Sequence, residues 1–234
     1  MTQNPSGTAY VYGEGVRNDV LRMIPPDGHV IGSIGCGKGA TEAILVGQGR
    51  EVHGVDVAPE AIVVARERLT SARLIAPDDR RPFAPNSLDG LILADVLEHI
   101  PRAWEALGQF VQAVRPGGWV VISVPNMRYW NAAWRFVVQG DWPEEQVGIF
   151  DSSHVQVMTH RRLERWCRST GLQIIRWFDQ RYDGTCPTLA RFRLLADLIT
   201  FRVFHSWFQY QIEVLCRRVA VSPISPDCST EKGS

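Results

Sequence analysis

The sequence lacks the marks of several common protein classes. Its 25 Lys plus Arg balance 25 Asp plus Glu, so no net field favours a polyanion, and no nucleic-acid partner is expected. Its five cysteines, Cys36, Cys167, Cys186, Cys216 and Cys228, form no Cys-x-x-Cys pair. That scatter suits neither a zinc site nor a disulfide framework, and points to reduced thiols in a cytoplasmic protein. No apolar run is long enough to span a bilayer, and residues 1–10 lack the basic and apolar blocks of a signal peptide. Arg161, Arg162, Arg165 and Arg168 could form a basic patch, but on one helix such residues more often make a solvated face.

What is present is an ordinary globular composition, 45% hydrophobic and 21% charged over 234 residues. Residues 1–9 and 222–234 are rich in Ser, Pro, Thr and Gly and read as flexible tails around a single domain at 10–221. Inside it, short apolar runs alternate with longer amphipathic ones, the pattern of an α/β layered domain. Strands are expected at 29–35, 51–57, 72–76, 88–95 and 119–125, then near 172–178 and 210–219. The first five are nearly continuous in Val, Ile and Leu, as in strands covered on both faces. Helices are expected at 16–24, 40–46, 59–69, 102–114 and 161–169, the last with Thr159 or His160 near its N-cap and Gly171 past its end.

Two stretches break the alternation. Residues 127–160 are Trp-rich, and 183–208 contain an apolar, aromatic run at 189–208 with arginines spaced along it. Both read as insertions on the substrate side of an open α/β site. The run at 189–208 fits a packed lid or dimer helix better than a membrane-surface helix, because it lacks a clean polar face. Peripheral membrane contact through it is the other reading, and the chain is expected to be a monomer or homodimer.

Gly35-Cys36-Gly37-Lys38-Gly39 follows the first strand and opens a helix, where glycines bring backbone N–H groups against a ligand. A P-loop reading fails because Gly39 stands where a metal-binding hydroxyl belongs. A dinucleotide fingerprint fits through Gly35, Gly37 and Ala40, with Asp56 at the end of the second strand placed to grip a ribose. The loop and the acid alone do not separate NAD from S-adenosylmethionine.

Five segments in order do separate them: IGSIGCGKGA at 31–40, VHGVDVAPE at 52–60, RPFAPNSLDG at 81–90, LADVLEHIP at 93–101 and VRPGGWVVISVPN at 114–126. Together they resemble class I S-adenosylmethionine-dependent methyltransferases. The runs PNMRYW, GDW, GIFDSSHVQVMTHRRLERW and TGL are similar to a bacterial subgroup associated with glycan and natural-product gene sets. The ubiquinone-pathway O-methyltransferases are more distant relatives. The resemblance implies a Rossmann-like α/β fold: seven mostly parallel strands, the last antiparallel, with helices on both faces. It implies that Gly35, Gly37 and Gly39 cradle the methionine part of S-adenosylmethionine. Asp56 would take the ribose hydroxyls, Asp78 (rather than Asp79) the adenine amino group, and Asp95 would pass close through its backbone. One departure matters: the family usually has an acid two residues before the first motif glycine, and here it is Ser33.

The expected reaction is methyl transfer to a small-molecule or glycan acceptor, more readily at oxygen than nitrogen. An NAD-dependent oxidoreductase and a catalytically silent cofactor-binding scaffold are the alternatives. His154, with Asp151 to orient it and Trp130, Trp134 and Trp142 to stack on a ring, is the first candidate base, and His99 the second. Asp95, Glu98 and His99 share an i, i+3, i+4 spacing that could converge on a metal, but no further ligand is evident, so none is expected.

Overall fold

The computed structural model describes residues 15–178 and 205–219. The flanking tails at 1–9 and 222–234, and nearly all of the expected lid at 183–208, lie outside the described residues. Seven strands form one sheet in the order β3-β2-β1-β4-β5-β7-β6. They are β1 (Val30–Ile34), β2 (Glu51–Asp56), β3 (Ser71–Leu74), β4 (Leu88–Ala94), β5 (Val114–Pro125), β6 (Leu172–Phe178) and β7 (Gln211–Arg218). The first five pair in parallel, and β7 lies antiparallel between β5 and β6. This is the expected sheet, last strand included.

The central strands are apolar on both sides because both sides are covered. On one face Leu91, Leu93, Val120, Ile122 and Val124 meet Leu107, Phe110 and Val111 of one helix, together with Leu163, Trp166 and Cys167 of a later one. On the other, Ile31, Val52, Ile92, Trp119 and Val121 meet Val20, Met23 and Leu45 from two further helices. The helices are α1 (Asn18–Met23), α2 (Ala40–Gly47), α3 (Pro59–Arg68), α4 (Ala103–Val111), α5 (Trp130–Trp134) and α6 (His160–Ser169). Thr159 caps α6, its hydroxyl accepting from the Arg162 N–H at 3.2 Å, and Gly171 beyond the end takes φ 77°. The arginines of α6 face outward: Arg168 pairs with Glu164 at 2.6 Å, and Arg162 lies over the Trp166 ring. They form a solvated face.

The structure differs from the sequence expectation in two places. β5 begins at Val114 rather than at 119. Leu88 pairs with Val114 and Gly90 with Trp119, so residues 115–118 bulge within the strand instead of preceding it. Gly90 is required there, since a Cβ on it would stand 2.2 Å from the Trp119 ring. The Trp-rich insertion contains α5 and a π-helical turn, Arg135–Gln139, neither of which was expected.

A buried acid pair ties α1 to β7. Glu213 is 2% exposed, and burial followed by the neighbouring Asp19 carboxylate pushes its pKa up to about 8. For Asp19, burial works upward, but hydrogen bonding and charge from Arg17 outweigh it and hold the carboxyl below its usual range. The proton therefore stays on Glu213, which donates to Asp19. A folded-state value above the ordinary 4.5 adds stability below pH 4.5 that is lost as pH rises towards 8. Glu213→Gln keeps an N–H donor to Asp19 but cannot ionise. Its melting temperature should stay level between pH 5 and 8 while the parent's falls, at about 2–4 °C per kcal/mol in a chain of this size. Parallel curves by scanning fluorimetry would place the linkage on another group.

Candidate active site

The carboxyl ends of β1 to β5 lie along one edge, as parallel pairing requires, and an open α/β sheet binds ligands at that edge. A cavity of about 940 Å³ opens there, bordered by the glycine loop, Asp56, Asp78, Asp95, Glu98, His99 and His154. Every site residue expected from the sequence except Gly39 borders it.

The glycine loop is held from β2. Gly35 N–H and Cys36 N–H both donate to the Val55 carbonyl, at 2.8 and 3.2 Å. Gly35, Gly37 and Gly39 have φ of 70°, 53° and 72°, the left-handed region that side chains rarely adopt. Asp56, 2% exposed, accepts from Gly37 N–H at 2.7 Å through Oδ2 and from Ala58 N–H at 2.9 Å through Oδ1. The acid thus fixes the loop's curvature as well as facing the cavity. Beyond β3, Asp79 accepts from Arg81 N–H at 2.9 Å and so closes its own turn, whereas Asp78 is exposed on the cavity wall.

Asp95 follows β4 with φ 54°, and its side chain is engaged. Arg17 reaches it from the segment before α1, and Gln211 of β7 donates to its Oδ1 at 3.0 Å. Arg17 also donates to Asp19 and, at 3.0 Å, to Ser123 Oγ, while its backbone N–H reaches Thr41 Oγ1 at 2.9 Å. A cation therefore stands on the cavity wall, fixed by two carboxylates. Sequence reasoning missed it, because a single arginine ahead of the first strand has no periodic signal.

A 3-10 turn, Leu97–His99, follows. Its Glu98 is 1% exposed, and burial with the nearby Asp95 charge pushes its carboxyl well above the usual range. The Glu98 carbonyl accepts from Val155 N–H at 2.8 Å and Gln156 N–H at 3.2 Å, which pins the insertion across the cavity. Asp95 does not join Glu98 and His99 in the cluster that their spacing allowed. Glu98, His99 and His154 instead bring one donor atom each within 4.8 Å of one another.

His99 and His154 lie side by side, ring centroids 4.8 Å apart. Ser153 Oγ donates to Asp151 Oδ1 at 2.5 Å and lies 2.9 Å from His99 Nδ1. A serine hydroxyl has one proton, so with that proton on Asp151 it accepts from His99 Nδ1–H, which leaves the imidazole lone pair on Nε2. Burial, then the neighbouring His154, lowers the His99 pKa, so the ring is neutral at pH 7. His154 Nδ1 donates to the Ile149 carbonyl at 3.2 Å. Asp151, expected behind His154, is thus connected to His99 instead. Ser153, the link between them, carried no sequence signal of its own.

The tryptophans expected to stack on the acceptor do not border the cavity. Trp142 packs edge-on against Phe136 and Phe150, and Trp130 and Trp134 are about half exposed. From the insertion, the wall is formed by Gln146, Val147, Gly148, Asp151, Ser153 and His154.

The family described as a methyltransferase domain matches residues 14–176. A ubiquinone biosynthesis O-methyltransferase of Leptothrix cholodnii is 26% identical over 178 residues, covering 73% of this chain and 74% of that protein. The protein of the same name from Thiobacillus denitrificans is 26% identical over 179 residues, 74% and 75% of the two chains. Among solved structures, a SAM-dependent methyltransferase from Archaeoglobus fulgidus superposes with a TM-score of 0.61 at 14% identity, over 86% of this chain and 90% of that one. Phosphoethanolamine N-methyltransferase 2 of Haemonchus contortus, in complex with S-adenosyl-L-methionine, gives 0.58 at 16% identity, over 87% of this chain and 53% of that one. With its fold and five ordered motifs, the chain belongs to the methyltransferase-domain family and is a class I S-adenosylmethionine-dependent methyltransferase.

Proposed function

We propose that this enzyme methylates a hydroxyl oxygen of a small or sugar-like acceptor, with His99 as the base. The chain Asp151–Ser153–His99 carries this reading, because a hydroxyl must lose a proton as it is methylated, whereas an amine has a free lone pair. The relatives named O-methyltransferases point the same way. The cofactor would lie along Gly35, Gly37 and Gly39, with its ribose at Asp56, its adenine near Asp78, and Asp95 beside it holding Arg17. Arg17 offers the cofactor's carboxylate a fixed cation. The acceptor side is formed by 146–154, within the insertion 127–160.

In this arrangement the acceptor oxygen attacks the methyl carbon as the carbon–sulfur bond breaks. The hydroxyl proton passes to His99 Nε2, giving a methyl ether and S-adenosylhomocysteine. The protein's contribution is alignment and proton removal. Asp151 and Ser153 hold the tautomer that accepts the proton, and the charge that develops on the imidazole faces Asp151 through the serine.

Four results test this. Asp56→Ala should weaken S-adenosylhomocysteine binding by about 1–3 kcal/mol in calorimetry, the cost of leaving buried polar groups unpaired. Unchanged affinity in a folded variant would place the ribose elsewhere. With a panel of phenols, glycans and amines, His99→Ala should cut turnover about a hundred- to ten-thousand-fold at unchanged cofactor affinity. Because the His99 pKa is lowered from 6.5, the acid limb of the parent's kcat/KM profile should fall below pH 6.5. A larger loss in His154→Ala would move the base to that residue, and no loss in either would favour an amine acceptor. Activity should survive EDTA, and loss with rescue by magnesium or zinc would recast Glu98, His99 and His154 as ligands.

A further inference from the structure

S-adenosylmethionine is a cation-rich ligand, with a sulfonium and an α-ammonium set against one carboxylate. An ammonium taken into a buried site needs an anion and hydrogen-bond acceptors to replace its water. Several acids on the cavity wall already have such work. Asp56 holds Gly37 and Ala58 N–H, Asp95 holds Arg17 and Gln211, and Asp79 holds the Arg81 N–H.

Glu42 is different. It lies in the first turn of α2, three residues past Gly39, borders the cavity, and is 6% exposed. Its Oε1 accepts from Ser33 Oγ at 2.7 Å. Ser33 is 1% exposed, on β1, two residues before Gly35. The tight glycine turn between β1 and α2 folds the helix back over the strand end. A carboxylate carried by α2 therefore reaches the Ser33 side chain on β1.

We propose that Glu42 is the anion that receives the cofactor's α-ammonium, with Ser33 as the hydroxyl that positions it. The helix supplies the acid, and the strand supplies a donor to aim it. Several features of the surroundings bear on this. The Ser33 hydroxyl donates to Glu42, which stabilises its ionised form, and the N-terminal turn of α2 favours a negative charge. Burial, the largest influence on Glu42, pushes its carboxyl up, and an ammonium in hydrogen-bond contact would reverse that. Arg17 and Glu42 both border the cavity, so a cation and an anion are available to the two charged ends of an amino acid.

The inference rests on the cofactor lying along the glycine loop, and calorimetry with two ligands separates the two ideas. S-adenosylhomocysteine has the amino-acid end, and 5′-methylthioadenosine keeps the nucleoside and thioether without it. Glu42→Gln should weaken S-adenosylhomocysteine about tenfold to a hundredfold and leave methylthioadenosine within about twofold. The exchange variant Ser33→Asp with Glu42→Ser should restore most of the lost affinity, since it returns an acid to the same place from the strand. Equal weakening of both ligands with no recovery on exchange would make Glu42 a packing residue and overturn the proposal, as would no change in either. Should Glu42→Gln fail to fold, the exchange variant decides alone, by whether it still prefers S-adenosylhomocysteine to methylthioadenosine as the parent does. If Asp56→Ala leaves methylthioadenosine binding intact, the placement of the cofactor has failed rather than the role of Glu42.

Discussion

The two hydrogen bonds accepted by Asp56 are the contact on which the rest of the site depends. One carboxylate at the end of β2 fixes the N–H of Gly37 on one side and of Ala58 on the other. It therefore sets the curvature of the glycine loop and the entry to α3 together. Burial makes both bonds matter, because neither amide has water as an alternative. The loop in turn sets where α2 begins, and α2 carries Thr41 and Glu42 to the cavity. A single side chain thus connects the strand ends, two helix starts and the cavity wall.

Much of this was legible in the sequence because the signals were local. The apolar runs of β1, β2 and β4 and the caps of α6 are short-range patterns, and each stands within a few residues of its expected place. The glycine loop was legible for the same reason, since three glycines in five residues mark a backbone no other residue adopts readily. What escaped were arrangements made by chain segments far apart. Arg17 and Asp95 are separated by 78 residues, and His99 and Ser153 by 54. Nothing periodic joins such pairs. The start of β5 was hidden differently: Arg115-Pro116-Gly117-Gly118 reads as a turn, yet it is a bulge inside a strand that pairing with β4 continues through.

The two halves of the cavity are built on different physical terms. The half along the glycine loop uses backbone groups on strand ends and helix starts, which the sheet holds rigidly. The half bearing Asp151, Ser153 and His154 belongs to an insertion held by the two N–H donors onto the Glu98 carbonyl and by side chains around Phe150. Under the proposed function, such a division would let the acceptor side vary while the cofactor side stays fixed, as when one fold serves many acceptors.

The position of β7 has a consequence for how this chain acquires its shape. The last strand in sequence is an interior strand in space, with β5 on one side and β6 on the other. During synthesis β1 to β5 can pair in turn, but β6 has no place in the sheet until residues 211–218 exist to bridge it. Cys167 and Cys216, 3.8 Å apart in the finished core, meet only at that moment. Until then the outer side of β5, with its run of Val and Ile, is an open edge able to pair with another chain. A chain stopped short of β7 would have β1 to β5 paired and the outer edge of β5 uncovered, on a sheet that cannot close.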